Sequence, residues 1–195
     1  SSYFTNQPDS TYKNLEIREL GTRYEGFFVN KDEPMTLDCF ASIDENMSID
    51  QSLHSPYGAS KASADLLIQA WARTHGLEYI IVRPSNNYGI FQYHEKLIPL
   101  SVKRLRENKL IKLHNRGRPI RTWTHAEDTI DAMMLLFEKA DRNRVYNISS
   151  EFEQNNYTTV QKIINCYFMG RAKVNVPDYE KYVDLNYERP GQDIL

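Results

Sequence analysis

The hydrophobic positions alternate between continuous apolar runs and helical spacing along the chain. Residues 77–83 (LEYIIVR) form a nearly continuous apolar run, which is typical of a strand buried on both faces. They follow a helical pattern from about Pro56 to His75, and Gly76 stands where a helix C-cap favours glycine. The pattern further predicts a helix over 94–107 and a strand over 110–113.

Two capping-box patterns predict the starts of later helices. Thr124 stands three residues before Glu127, ahead of the apolar series Ile130, Met133, Met134 and Phe137. Thr158 and Gln161 repeat this spacing around the apolar positions Val160, Ile163, Ile164 and Tyr167. Between the two helices, residues 144–149 (RVYNIS) predict a strand. Strands and helices that alternate in this way predict an α/β fold with a parallel sheet.

The first forty residues carry a weaker pattern. Residues 15–20 fit the end of a helix, and residues 35–42 (MTLDCFAS) fit a strand that leads to Asp44.

The composition narrows the classes of function. At 195 residues, with 41% hydrophobic and 26% charged residues, the chain resembles one soluble globular domain. It contains no apolar run of membrane-spanning length and no signal-peptide pattern, and its net charge of −2 argues against nucleic-acid binding. The two cysteines and five histidines show no metal-ligand spacing. We therefore expect no metal site and no membrane contact, and the expected location is the cytoplasm.

One tyrosine and one lysine have a spacing that suits acid–base chemistry. If Pro56 starts the predicted helix, Tyr57 and Lys61 lie one turn apart on the same face. An ammonium about 4 Å from a phenolate stabilises it by up to roughly 4 kcal/mol at an effective dielectric constant of 20. The pair is therefore a candidate base for an alcohol proton. A surface Tyr–Lys pair is the alternative, because this spacing is common by chance.

The surroundings of this pair resemble a known family. The motifs appear in the order SPYGASKASADLLIQAW (55–71), RPSNNYG (83–89), EKLIPL (95–100), GRPIRTW (117–123) and VYNIS (145–149). Together they resemble the extended short-chain dehydrogenase/reductases, and within these the dTDP- or UDP-glucose 4,6-dehydratases. The resemblance implies part of a Rossmann-like doubly wound parallel sheet plus a small α/β substrate-binding region. Residues 1–90 would then be the later part of the NAD-binding domain, and residues 91–195 would mainly bind substrate.

The same resemblance assigns catalytic roles. Residues 42–45 (SIDE) stand where the dehydratases have Ser-Thr-Asp-Glu. By resemblance, Asp44 protonates the leaving hydroxyl at sugar C6, and Glu45 removes the C5 proton. Tyr57 deprotonates the C4 hydroxyl as its hydride passes to NAD, and Lys61 holds the nicotinamide ribose. The carboxylate pair separates dehydratases from epimerases that share the Tyr–Lys pair, and an ordinary acidic loop is its alternative.

Binding residues follow from the resemblance as well. Asn86 is expected to bind the cofactor together with Tyr57 and Lys61, although either asparagine of the NN pair could instead cap the next helix. The residues expected to contact a dTDP- or UDP-glucose substrate are Asn87, Glu95, Lys96, Leu97, His114, Arg121, Asn147 and Arg189. A planar guanidinium suits the diphosphate, whereas Lys96 could equally be solvated. Relatives pair through helices like the one that carries Tyr57, which implies a homodimer.

The chain also departs from the family pattern. Ile43 replaces a threonine that hydrogen-bonds the reacting sugar hydroxyl in the family, Thr122 replaces an aspartate, and Gln192 replaces a histidine. The glycine-rich dinucleotide fingerprint is absent from the sequence, because no three of its eight glycines have the required spacing. Two explanations compete, a fragment of a longer enzyme and a shortened relative that no longer catalyses. The alternatives to a dehydratase are a non-catalytic nucleotide-sugar-binding protein and a nucleotide-sugar epimerase.

Overall fold

The structure, a computed structural model, describes residues 15–20, 23–28, 39–40, 45, 56–172 and 178–188. Its helices are α1 (Pro56–His75), α2 (Leu97–Arg106), α3 (Ala126–Lys139) and α4 (Asn156–Ala172). The first strands are β1 (Leu15–Leu20), β2 (Arg23–Phe28), β3 (Cys39–Phe40), β4 (Ile80–Pro84) and β5 (Asn86–Tyr88). The later strands are β6 (Ile111–Lys112), β7 (Ile120–His125), β8 (Arg144–Ile148), β9 (Glu153–Asn155) and β10 (Val183–Asp184). Two 3-10 turns cover His114–Gly117 and Tyr179–Tyr182.

Helix α1 has the bounds that the sequence predicts. Pro56 occupies its first position, where the fixed φ of proline suits a helix and the missing N–H costs nothing. Gly76 has a φ of 63°, and the N–H of Leu77 donates to the Ala72 carbonyl at 2.9 Å, which is the hydrogen bond of a Schellman cap. The buried positions of α1 are Gly58, Ala62, Asp65 and Ala72. Because three of these four are small, the helix packs closely.

Parallel pairs of strands confirm the predicted α/β class. Strand β4 pairs with β8, from Ile80 opposite Arg144 to Pro84 opposite Ile148. Strand β5 pairs in parallel with β7, and β6 with β10, whereas β9 adds to β7 in the antiparallel direction. Strand β4 begins three residues later than the predicted 77–83 run, and its buried side chains are Ile81 and Arg83. The chain thus has the parallel strand–helix alternation of Rossmann-like proteins.

A compact apolar core joins the later helices to the short β6–β10 pair. Its buried members are Leu105, Ile111, Leu113, Val160, Ile164 and Val183. Val160 and Ile164 are one turn apart on α4 and have no solvent exposure. The helical spacing in the sequence therefore identifies the inward face of α4 correctly.

The beginning of the chain differs from the prediction. Residues 15–20 form strand β1, not the end of a helix, and pair with β2 in antiparallel register from Leu15–Phe28 to Leu20–Arg23. Apolar and polar residues alternate over Leu15–Arg18, and such a segment can adopt either structure until a partner strand is available. Cross-strand pairing overrides the helical propensity of leucine and glutamate here. Of the predicted strand 35–42, Cys39–Phe40 is described and forms β3.

Both predicted N-caps are wrong by one to three residues. Helix α3 is capped by His125, whose Nδ1 accepts from the Glu127 N–H at 3.4 Å, while Thr124 is buried in β7. Helix α4 begins at Asn156, and the side chain of Asn155 accepts from the Thr158 N–H at 2.7 Å. Thr124 is held in β7 by strand pairing and by its hydrogen bond with Ser85, whereas Thr158 is already the third residue of α4. Neighbouring polar side chains therefore cap both helices.

Helix α3 has the predicted period, but its apolar series is not the buried face. The side chains of Ile130, Met133, Met134 and Phe137 are 42–66% exposed. The helix instead packs through buried Thr129 and half-buried Ala132 and Leu136.

Among the described residues, no helix is both long and apolar enough to span a bilayer.

Replacing Ile164 with alanine should lower the free energy of unfolding by about 2–5 kcal/mol, because the change leaves a cavity in a fully packed site. Urea unfolding followed by circular dichroism measures this loss. Ile130→Ala is the matched control, since that side chain is 56% exposed, and it should change stability by less than about 1 kcal/mol. Equal losses in the two variants would contradict the position of the core.

Candidate active site

Tyr57 and Lys61 share one exposed face of α1, as their spacing predicts. The Lys61 Nζ lies 5.7 Å from the centroid of the Tyr57 ring. The tyrosine is 62% exposed, and its carbonyl accepts a hydrogen bond from the Ser60 hydroxyl at 2.8 Å. A phenol and an ammonium are therefore held one helical turn apart and open to a ligand, while their catalytic roles stay predictions.

A buried ion pair joins this helix to the sheet. Both Nε and Nη2 of Arg83 lie 2.8 Å from Oδ2 of Asp65, and the two side chains are 5% and 11% exposed. Since α1 turns at Gly76 into β4, the helix and the strand run in opposite directions. Tyr57 therefore lies about 12 Å beyond Asp65 along the helix axis, towards the carboxyl end of β4. Sequence analysis missed this pair, although an aspartate among the apolar positions of α1 was its signal.

The carboxyl ends of the parallel strands bring the asparagines together at one edge. Asn147 lies opposite Arg83 in the β4–β8 register, and the Ser85 N–H donates to the Ile148 carbonyl at 2.8 Å. Asn86 and Asn87 follow directly on β5. In open α/β sheets, ligands bind outside the carboxyl ends of the strands, so this edge is the candidate site.

Asn86 and Asn87 differ in their surroundings. Asn86 is exposed, whereas half-buried Asn87 accepts a hydrogen bond at Oδ1 from the Thr129 hydroxyl at 2.6 Å. The backbone carbonyl of Asn87 accepts a second one from the Gln92 amide at 2.8 Å. The alternative that one asparagine caps the next helix is wrong, because the N-cap residue of α2 is Lys96.

Glu45 also reaches this edge. Its Oε1 accepts a hydrogen bond from the backbone N–H of Asn147 at 2.8 Å, so two predicted site residues touch. The Glu45 carboxylate is exposed. The predicted residues Asp44 and Arg189 lie outside the described residues.

The segment that precedes α2 is largely solvated. The Nζ of Lys96 lies 3.5 Å from Oε1 of Glu95, and both side chains are more than half exposed. Leu97 is half-buried and packs against the core around Ile164. Lys96 is therefore a solvated side chain in this structure, whereas Leu97 packs against the core.

His114 and Arg121 flank a strained turn. The Nδ1 of His114 lies 3.1 Å from Oε2 of Glu188. The backbone then adopts left-handed conformations at Asn115, Arg116 and Gly117, and a Cβ on Gly117 would stand 2.9 Å from the Cβ and the backbone N of Tyr157.

Glycine is therefore required at position 117 by both its φ and its close packing.

Arg121, which is half-buried on β7, donates from Nη1 to the Ile120 carbonyl at 2.9 Å. In the described part of the chain, no three His, Cys, Asp or Glu side chains converge as metal ligands.

Comparison with known proteins gives consistent matches. The family described as NAD dependent epimerase/dehydratase family matches residues 39–149. A dTDP-glucose 4,6-dehydratase from Haemophilus influenzae is 38% identical over 144 residues, which are 72% of this chain and 42% of that protein. One from Escherichia coli is 31% identical over 193 residues, which are 98% of this chain and 52% of that protein.

Solved structures agree with these matches. A dTDP-glucose 4,6-dehydratase from Streptomyces venezuelae, a double mutant with NAD and DAU bound, superposes with a TM-score of 0.68 at 31% identity. The match covers 79% of this chain and 44% of that one. A UDP-glucuronic acid 4-epimerase from Bacillus cereus has the same fold, with a TM-score of 0.63 at 18% identity. That match covers 78% of this chain and 46% of the epimerase chain. This chain spans about half the length of the curated relatives that it matches.

The buried ion pair yields a prediction about stability. Asp65→Asn should lower the free energy of unfolding by about 3–5 kcal/mol, because the Arg83 guanidinium stays buried without its carboxylate. The double variant Asp65→Leu/Arg83→Met should recover most of that loss, since it removes both charges. Urea unfolding of Asp65→Leu, Arg83→Met and the double variant measures the coupling, and simple addition of the two single losses would contradict it.

Proposed function

Because the chain belongs to the NAD dependent epimerase/dehydratase family, we propose that it carries the catalytic and substrate-binding part of a nucleotide-sugar 4,6-dehydratase. The observation that carries the proposal is the Tyr57–Lys61 pair, which is exposed on one face of α1. Relatives that are 31–38% identical to this chain and are named dTDP-glucose 4,6-dehydratases support the reaction type.

NAD is the proposed cofactor, and the groups on α1 fit it. The exposed Tyr57 hydroxyl and Lys61 ammonium offer donors to a ribose diol, and exposed Asn86 adds an amide that both donates and accepts. When bound, NAD supplies a reversible acceptor for the C4 hydride of the sugar. Residues 1–90 are proposed to belong to the cofactor domain, and residues 91–195 mainly to the substrate-binding region.

The proposed acid–base work divides among three side chains. Tyr57 takes the proton of the C4 hydroxyl, and the neighbouring ammonium of Lys61 stabilises the phenolate. Glu45 takes the C5 proton, and the hydrogen bond from the Asn147 N–H to its carboxylate supports a fixed orientation. Asp44 gives a proton to the hydroxyl that leaves C6, and water is lost across C5 and C6. The hydride taken from C4 would then return to C6 while C5 regains a proton, which gives the 4-keto-6-deoxy sugar with no net change in the cofactor.

Substrate binding is proposed at the groups around the same edge. Arg121 is the proposed diphosphate ligand, because a guanidinium donates in parallel to two phosphate oxygens. The remaining proposed contacts with a dTDP- or UDP-glucose substrate are Asn87, Glu95, Lys96, Leu97, His114, Asn147 and Arg189. The proposed cytoplasmic homodimer would pair through α1, on which Leu66, Leu67 and Trp71 are exposed apolar side chains.

A non-catalytic nucleotide-sugar-binding protein is the second candidate. Thr122, which the family pattern has as aspartate, is half-buried on β7 opposite Glu153, so no carboxylate directly follows Arg121. Ile43 removes a hydroxyl that the family uses at the reacting sugar oxygen. These departures favour binding without turnover, and the experiments below separate the two candidates.

Tyr57→Phe should reduce formation of the 4-keto-6-deoxy sugar by about 10²–10⁴-fold, because the ring keeps its packing but loses the proton acceptor. NMR of the reaction with dTDP- or UDP-glucose and NAD, using the whole protein, measures the product. Tyr79→Phe is the matched control at the opposite end of β4, and its turnover should equal that of the parent. Unchanged turnover in Tyr57→Phe would reject the proposed base.

Glu45→Gln should slow exchange of the sugar C5 hydrogen with solvent deuterium by about 10²-fold or more, because an amide does not accept that proton. NMR in heavy water follows the exchange. An epimerised nucleotide sugar formed in place of the 4-keto-6-deoxy sugar, at the parental rate in both Glu45→Gln and Asp44→Asn, would favour an epimerase, which makes no use of the carboxylate pair. Binding of a nucleotide sugar by calorimetry without any product would favour the non-catalytic candidate.

A further inference from the structure

Asn87 accepts hydrogen bonds at two atoms, its side-chain amide oxygen and its backbone carbonyl oxygen. Thr129, the fourth residue of α3, is only 4% exposed, and its hydroxyl donates to Oδ1 of Asn87 at 2.6 Å. Gln92 donates from Nε2 to the backbone carbonyl of Asn87 at 2.8 Å. The short distance and the burial of Thr129 make the side-chain contact well defined.

The neighbouring hydroxyl is already engaged elsewhere. Thr124 lies opposite Asn87 in the β5–β7 register, but its hydroxyl bonds the Ser85 hydroxyl at 2.8 Å and accepts from the Ser150 N–H at 3.1 Å. The start of α3 packs tightly on the end of β5, since a Cβ on Gly89 would stand 3.3 Å from the Cβ of Ala126. Thr129 therefore has little room to move away from Asn87.

The two ends of an asparagine amide have different hydrogen-bonding properties. The oxygen accepts, and the NH₂ group only donates. When a buried hydroxyl holds the oxygen, the NH₂ group is directed away from α3. Reversing the amide would place two donors against Thr129 and would oblige its hydroxyl to find another acceptor.

We propose that Thr129 is a positioning residue that fixes the Asn87 amide with its NH₂ group presented to the nucleotide sugar. The inference rests on the proposed function and deepens it, because it assigns Asn87 as a hydrogen-bond donor. A fixed donor pairs with ligand atoms that accept, such as phosphate, ring or hydroxyl oxygens. The contact with Thr129 thereby sets the polarity of this part of the site.

Calorimetric titration of the whole protein with dTDP-glucose and with UDP-glucose tests the proposal. Thr129→Val keeps the shape of the side chain and should weaken binding about 5–10-fold, which corresponds to one hydrogen bond. Thr129→Ser restores the hydroxyl and should bind within about twofold of the parent. Thr159→Val is the matched control at another buried threonine, and its affinity should not change.

A double-variant cycle separates positioning from a structural role. Asn87→Ala should weaken binding about tenfold, and Thr129→Val should add nothing further in that background, because both changes remove the same donor. An additive effect, or an unchanged affinity in Thr129→Val alone, would overturn the proposal.

Side-chain NMR keeps the test independent of the proposed function. If the parent protein binds neither nucleotide sugar, the proposed function fails, and the Asn87 side-chain amide resonances still decide the inference. They should shift and broaden in Thr129→Val and return to the parental position in Thr129→Ser. Unchanged resonances in Thr129→Val would overturn the inference.

Discussion

The buried contact between Asp65 and Arg83 fixes the helix that carries the Tyr–Lys pair. The other buried positions of helix α1 are Gly58, Ala62 and Ala72, and such small side chains interlock weakly along the helix axis. A charge-assisted pair at 2.8 Å resists sliding, because any shift would leave two buried charges apart. This contact therefore helps to fix the position of Tyr57 along the helix axis.

Polar links join the strands that form this edge. The Ser85 N–H extends the β4–β8 pair by bonding the Ile148 carbonyl, and the Ser85 hydroxyl bonds Thr124 on β7 at 2.8 Å. The Ser150 hydroxyl, just after β8, donates to the Trp123 carbonyl at 2.8 Å. The two parallel pairs are thereby tied at their carboxyl ends, where the candidate site residues stand.

Local patterns predicted those parts of the fold that depend on neighbouring residues in the chain. The bounds of α1, its glycine cap and the shared face of Tyr57 and Lys61 follow from helical geometry alone, and the structure confirms them. The strand at 144–148 follows from a β-branched and aromatic run. In each case the deciding contacts lie within a few residues.

The errors occur where distant residues decide. Thr124 does not cap α3, because its hydroxyl forms a hydrogen bond with the Ser85 hydroxyl. Residues 15–20 do not form a helix, because they pair with strand β2. The spacing of the apolar series predicted helix α3 correctly. Spacing alone does not show whether another element packs against that apolar face. The pairing of Asp65 with Arg83 needed the helix and the strand to be placed first.

The exposure of Tyr57 bears on when the proposed chemistry can occur. Two unit charges 4 Å apart interact by about 1 kcal/mol in bulk water and by about 4 kcal/mol at an effective dielectric constant of 20. Tyr57 is 62% exposed, so charges on this face of α1 interact close to the weaker limit while water covers it. A nicotinamide ribose and a sugar seated on this face would displace that water. In the proposed reaction, ligand binding itself therefore strengthens the attraction between the Lys61 ammonium and a Tyr57 phenolate, which favours proton removal in the loaded site.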